Sequence, residues 1–544
     1  MSDPIRDLHK AVETAAASLR DGEAGDAEPK LERPPKPELG DYSTNAAMLL
    51  APVRGEPPRD VAERLRDELG GLLSGSAERI EVAGPGFINL FLADRWYREG
   101  VSDLLAAGEG FATDLVERPE RILDEFVSAN PTGPLTAAGG RHAAYGDSVA
   151  RILIRAGHRV EREYYLNDVG GQVRLFAESI AAGMTGGEAP EGGYEGAYVQ
   201  ELAKELAAAG ADAEDLDALE RAGVERMQSS IRGTLERFGV SFDNWSSERS
   251  QHEAGRVAEV VEELRGHGHV YESEGAVWLR TTEFGDDKDR VLVRSGGEPT
   301  YFAADVAYHW DKLERGFERL LDVLGADHHG YVARMRAAIA ALGADPDSFE
   351  ALIMQFVHVV DGGERAQMSK RRGDFVTLDE LIDDIGVDAA RFLMLQRSHD
   401  TTVDLDLELA RRQSQDNPVY YVQYAHARIA SILRKAGDDV VKAAEAGIEG
   451  TLEVPVEPAE RVLVKRLLEL PGEVAGAAEL RAPHRLCAFA TATAADFHAF
   501  YRDCQVVGAE GEGTEAARLA LCVATKRVIA HTLDLVGVSA PDRM

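Results

Sequence analysis

Apolar residues recur along this chain with two periods, and the changes from one to the other mark its elements. Residues 121–127 (RILDEFV) form a short apolar run with polar flanks, which predicts a buried strand. In residues 141–157, Val149, Ile152, Leu153 and Ala156 fall at helical spacing, and residues 158–168 (HRVEREYYLND) return to a strand pattern. The loop between the first strand and the helix, SANPTGPLTAAGG, is rich in Gly and Pro. A strand–loop–helix–strand unit predicts a parallel sheet with a right-handed crossover.

Residues 1–110 read as a separate α+β module. It has an amphipathic helix at its start and a second helix opening at GDYSTNAA, with Ser43 or Thr44 as cap. Two strands follow around the Gly84-Pro85-Gly86 turn. Residues 173–289 are mostly helical and charged and read as an insertion, after which the sheet is expected to resume at Arg290. Residues 351–362 (ALIMQFVHVVDG) predict a hairpin strand, and residues 412–544 predict helices throughout. The fold class is multidomain α/β: a Rossmann-like parallel-sheet domain over 115–410, an N-terminal α+β domain and a C-terminal all-α domain.

With 544 residues, two to four domains and a sizeable core are expected. No apolar run is long enough to span a membrane, and the N-terminus has no apolar signal core, so a cytoplasmic protein is expected. Cys487, Cys504 and Cys522 are widely spaced and form no CxxC pair, which argues against a disulfide framework or structural zinc. Charge changes the picture more. The chain has 95 acidic against 60 basic residues, a net charge of -35. That balance argues against binding nucleic acid by bulk charge. It suits a cytoplasm at very high salt, where the Debye length is about 3 Å at 1 M and repulsion from RNA fades. RNA binding would then rest on stacking, shape and local arginines, and a halophilic source is expected.

Four stretches carry candidate chemistry. The 128–140 loop opens onto a helix start at Gly139-Gly140-Arg141, where unpaired N–H groups suit phosphate; an ordinary strand-to-helix connection is the alternative. Tyr301 and Asp305 are four apart on a helix and so share a face. A carboxylate with a nearby hydroxyl suits a planar, permanently charged guanidinium, although a solvated helix face shows the same spacing. Asp327-His328-His329 end a strand, and a metal there is disfavoured because no third ligand lies at suitable spacing. Tyr420, Tyr424 and Arg428 form a stripe beside the core positions Tyr421, Ala425, Ile429 and Ile432 of one helix; they serve either packing or stacking on unpaired bases.

Taken together, these stretches resemble the class I arginyl-tRNA synthetases. SANPTGPL with GRHAAYGDS is similar to that family's first signature, YYLNDVGGQ to its YxNDxGxQ segment, and Gln367-Met368-Ser369-Lys370-Arg371 to its KMSKS loop. GDYSTNAA and GPGFINLFL resemble its N-terminal domain, which contacts the tRNA elbow, and the C-terminal part resembles its anticodon-binding domain. The resemblance implies ATP-dependent ligation of L-arginine to tRNA(Arg) through an arginyl-adenylate, with Mg2+, by a monomer; with the acidic balance, a halophilic archaeal source is expected. It implies Lys370, Arg371 and Thr136 as catalytic residues. ATP would meet Pro131, Thr136, Gly139, Gly140, Asp327, His328, Met368, Ser369 and Lys370. Arginine would meet Ser128, Asn130, Tyr301, Asp305 and His329, and tRNA would meet Tyr420, Tyr424 and Arg428. The chain departs from the pattern at Thr136-Ala137-Ala138-Gly139, where the family has His-x-Gly-His, and His142 is expected to lie too far along to substitute. A class I synthetase for another amino acid and a non-catalytic tRNA-binding paralogue are the alternatives.

Overall fold

The computed structural model describes residues 3–20, 29–365 and 376–544, and for His329 the backbone alone. At its centre is a five-stranded sheet: β1 (Arg121–Glu125), β2 (Arg159–Leu166), β3 (Asn244–Ser247), β4 (Arg319–Gly325) and β5 (Phe349–Met354). The order is β5-β4-β1-β2-β3, and each neighbouring pair is parallel. The chain order reverses at β1, which therefore sits at the switch point where open α/β sheets form their ligand crevice. Helix α1 (Ala137–Ala156) makes the crossover from β1 to β2, α2 (Tyr301–Glu314) precedes β4, and α3 (His329–Ala341) links β4 to β5.

Two strand expectations need correction. The sheet does not resume at Arg290: it takes its edge strand, β3, from within the stretch read as an insertion. That strand is the polar NWSS, partly buried along its length, so no apolar run announced it. Arg290–Val293 instead pairs antiparallel with Ala276–Leu279 in a small separate sheet. Only the second half of residues 351–362 forms a hairpin strand: Val357–Asp361 pairs antiparallel with Glu364–Arg365. The first part is β5, and Val357–Asp361 belongs to another sheet, parallel to Val403–Asp406. The chain breaks at Gln355, whose carbonyl accepts a bond from buried Arg141 at 2.8 Å.

The N-terminal module is a four-stranded antiparallel sheet backed by helices Pro4–Ser18, Ala46–Arg54 and Pro58–Leu72. Here GDYSTNAA begins as a strand, Tyr42–Thr44, and the helix starts only at Ala46. Thr44 accepts a bond from the Ala46 amide at 3.2 Å, while Ser43 donates to Asn89 on the neighbouring strand. The C-terminal part is helical, from Pro418–Ala436 to Thr514–Leu535. Buried arginines join the parts. Arg98 of the helix Asp94–Ala107 meets Glu460 and two carbonyls of the C-terminal part, and Arg391 meets Asp147 of α1 at 2.6 Å and the Val536 carbonyl at 3.1 Å.

Helix α1 begins at Ala137, four residues earlier than expected, because Thr136 caps it: its hydroxyl accepts from the Gly139 amide at 3.5 Å. Within α1, Gly146 lies under the ring of Phe126, which follows β1; a methyl group on Gly146 would come 2.2 Å from Phe126 Cγ. Glycine inside a helix normally costs about 1 kcal/mol relative to alanine. Gly146→Ala is nevertheless expected to destabilise the fold by about 1–3 kcal/mol, the usual cost of overpacking a core. Thermal unfolding checks the sign.

Candidate functional site

The crevice at the carboxyl ends of β1, β2 and β4 is a cavity of about 680 Å³. β1 ends on Glu125, which lines it. The chain then turns sharply: Val127 and Ser128 lie in the left-handed region, at φ 67° and 37°. For a β-branched residue such as Val127 this conformation is an outlier, and strain of this kind costs on the order of 1–3 kcal/mol per residue and gathers at functional sites. The turn brings the Ser128 hydroxyl back to donate to Glu125 Oε1 at 2.8 Å and to accept from the Tyr165 amide at 3.1 Å. Asn130 donates to Gln172 Oε1 at 2.8 Å, which ties the loop to the segment after β2.

Asp305 enters the cavity from the first turns of α2. Its carboxylate is half-buried and makes no hydrogen bond or ion pair with a described residue. Burial, with the nearby carboxylates Glu248 and Glu125, pushes its pKa up to about 8, although Arg334 pulls the other way. This is an electrostatic vacancy for a cation: a carboxylate surrounded by others gains most from a permanent positive charge. Tyr308 and Tyr331 wall the cavity, Tyr194 reaches it from the segment before the helix Ala197–Ala208, and Asn167 reaches it from the end of β2.

Of the expected site residues, Ser128, Asn130, Asp305 and His328 line this cavity. Tyr301 does not. It stands at the start of α2, 65% exposed, with its hydroxyl facing Gly170 across the rim. Asp327 is exposed, 3.7 Å from His328 Nε2. Pro131 and Gly140 are buried, and Gly140 faces Leu378, so its missing side chain serves packing of α1. Thr136 and Gly139 are joined in the helix cap. Met368, Ser369, Lys370 and Arg371, and the His329 side chain, lie outside the described residues.

His142 corrects one expectation. It does reach the site: α1 carries it to the cavity wall, where burial and the adjacent Arg141 push its pKa down to about 4, leaving a neutral imidazole at physiological pH. Glu125 was missed as well, although its place as last residue of the central strand is a legible signal. Tyr194 and Tyr331 come from distant segments, and no spacing rule points to them.

Residues 376–378 lie next to the start of α1. Thr377 bridges Thr136, Ala137 N–H donates to the Val376 carbonyl at 3.1 Å, and Leu378 N–H donates to the Leu135 carbonyl at 2.8 Å. The mouth of α1 and residues 376–378 are thus one structural unit. In the C-terminal part, the rings of Tyr420 and Tyr424 stack with centroids 6.4 Å apart, and Arg428 lies over Tyr424 and Tyr501. Tyr421 and Tyr424 both pack on His498.

Three family models match the chain in sequence: the arginyl tRNA synthetase N terminal domain over residues 6–92, the catalytic domain of tRNA synthetases class I (R) over 100–430, and the DALR anticodon binding domain over 422–544. An arginine–tRNA ligase of Frankia alni is 47% identical over 524 residues, covering 94% of each chain. One from Desulfitobacterium hafniense is 44% identical over 529 residues, covering 94% of this chain and 93% of its own. The solved Thermus thermophilus arginyl-tRNA synthetase superposes with a TM-score of 0.76 at 25% identity, over 99% of this chain and 100% of that one.

Proposed function

The chain belongs to the class I arginyl-tRNA synthetases and ligates arginine to tRNA, and from that premise we propose how its residues share the work. The observation that carries the proposal is the Asp305 carboxylate, unpaired among described residues in a cavity lined by further carboxylates. Arginine binds there with its guanidinium toward Asp305 and Glu125, and with its α-amino group toward Asn130 and Ser128. Tyr301, at the rim, closes over the side chain by turning inward from the start of α2. A guanidinium is always charged, so such a pocket rejects neutral side chains by leaving its carboxylates unpaired.

ATP lies across the mouth of α1, where backbone N–H groups and the helix dipole favour phosphate. His142 and His328 border the cavity, and they offer nitrogens that the absent signature histidines do not. The arginine carboxylate attacks the α-phosphorus, and diphosphate leaves toward Lys370 and Arg371. Holding the reactants in line is the larger part of this catalysis. Among the described residues no group of three His, Cys, Asp or Glu side chains is arranged to hold a metal ion, so Mg2+ would arrive on the ATP phosphates. The 2′-hydroxyl of the terminal tRNA ribose then takes the arginyl group from the adenylate. Tyr420, Tyr424 and Arg428 present an open stacking surface for unpaired bases of tRNA(Arg), a contact worth about 1–3 kcal/mol per base. The enzyme works in the cytoplasm, where tRNA is charged, as a monomer.

Aminoacylation of total tRNA with each amino acid in turn tests this reading. Arginine alone should be charged; charging with another amino acid, or none at any salt concentration, overturns it. The net charge of -35 supports adaptation to high salt, while the relatives named above are bacterial and lend nothing to an archaeal source. Removing salt is expected to unfold the protein, because repulsion among carboxylates is then unscreened. Circular dichroism across a potassium chloride series reads this directly, and full stability in dilute buffer would count against salt adaptation.

A further inference from the structure

Asp305, Tyr308, His309 and Lys312 follow one another at i, i+3, i+4 and i+7 along α2, so all four share one face. That face is polar, yet it packs against the sheet. The Lys312 ammonium is fully buried and donates to Glu125 Oε2 at 2.6 Å and to Asp322 Oδ1 at 2.9 Å, 4.2 Å from the Tyr308 ring centroid. His309 lies 3.0 Å from the other Asp322 oxygen, and Tyr308 donates to Glu163 at 2.7 Å. The second Glu125 oxygen is held by Ser128. Carboxylates from three strands therefore gather along this face, and Lys312 joins the two that line the cavity, Glu125 and Asp322.

We propose that Lys312 is a positioning residue for arginine: its buried ammonium keeps Glu125 ionised and oriented, so that the substrate guanidinium meets two carboxylates, Glu125 and Asp305, instead of one. This rests on the assignment of the cavity as the arginine site. A buried carboxylate without a cation takes up a proton instead of staying charged. Burial already raises Glu125, and Lys312 is the strongest influence opposing it; the same ammonium, with His309, holds Asp322 down at about 2 although burial works against it. The groups facing Lys312 are Glu125, Asp322 and Glu163 from the strands and Tyr308 and His309 from its own helix; Glu248 and Arg334 act on Asp305.

Lys312→Met, Lys312→Arg and Asp305→Asn would be compared in tRNA-dependent ATP–diphosphate exchange from pH 6 to 9, with thermal unfolding as a fold control. Lys312→Met is expected to raise the KM for arginine at least tenfold at pH 7, with the KM for ATP unchanged. That loss should shrink as pH rises and Glu125 and Asp322 regain their charges. Lys312→Arg keeps the cation and should stay within about threefold of the parent. A folded Lys312→Met with unchanged arginine KM overturns the proposal, as does a loss that is the same at every pH, or a tenfold loss in folded Lys312→Arg. If Asp305→Asn leaves arginine KM unchanged, the assignment of the cavity itself fails; if only the Lys312 variants are silent, the cavity stands and the role of Lys312 falls.

Discussion

Asp305→Asn is expected to lower kcat/KM for arginine about a thousandfold while leaving the KM for ATP nearly unchanged. Removing one partner of a buried ion pair costs about 3–5 kcal/mol, because the other charge stays buried without compensation. At about 1.4 kcal/mol per factor of ten, that is roughly two to three and a half decades. The pH dependence has a definite sign. In the free protein, burial first, then Glu248, hold the Asp305 pKa up to about 8, so below that pH the group carries a proton. Arginine needs the carboxylate. Its KM should therefore fall as pH rises from 6 toward 8, and binding in that range should release a proton, which calorimetry in buffers of different ionisation enthalpy detects. Linkage gives the stability of the free protein the opposite slope: with the folded pKa raised, the contribution of this group is complete below the unfolded value of 3.8 and is lost as pH climbs through about 8. Asp305→Asn should abolish both slopes. A variant with parental arginine KM, or a parent whose KM is flat over this range, would show that another group reads the guanidinium.

Lys370→Ala is expected to reduce kcat by a factor of about 10²–10³, the usual cost of losing one preorganised group that stabilises transition-state charge, with smaller changes in either KM. The physical ground is the anchoring of the chain just after Lys370's segment. Val376 and Thr377 are fastened to Leu135, Thr136 and Ala137 at the mouth of α1. Lys370 is six residues from Val376, within about 20 Å of chain at full extension, so an ammonium there can reach phosphate at that mouth. Diphosphate departure carries the most negative charge of the reaction, and the helix dipole alone offers about half a charge. Single-turnover formation of the adenylate isolates the step. A rate within threefold of the parent would assign the leaving group to other cations, with Arg371 the first to test.

Much of the fold could be read from residue pattern because its elements carry their own periodicity. β1, α1 and β2 have apolar repeats strong enough to predict a parallel crossover, and the helices after residue 412 are amphipathic in their own right. β3 could not be read: four polar residues become a strand only because β2 offers an open edge. β5 and Val357–Asp361 look like one apolar segment, and at the break between them Gln355 bonds to Arg141 and His399, both far away in the chain. The start of α1 was displaced by a cap that only the bend at Thr136 reveals.

The site divides in the same way. Asp305, Asn130 and Ser128, singled out by the family resemblance more than by spacing, all line the cavity. His142 was judged out of reach from its offset, yet the helix that places it begins earlier than the offset assumed, and it lines the cavity. Tyr301 shares a helix face with Asp305 by spacing, but α2 tips that end to the rim, where it stays exposed. By itself the order of residues determined the strongly periodic elements, the acidic balance and which groups could hold a guanidinium. Tertiary structure alone decided which of them face one cavity, because convergence of β1, β2, β4 and α2 depends on pairings between segments far apart in the chain. The charge of a buried carboxylate such as Asp305 likewise depends on neighbours that only folding supplies.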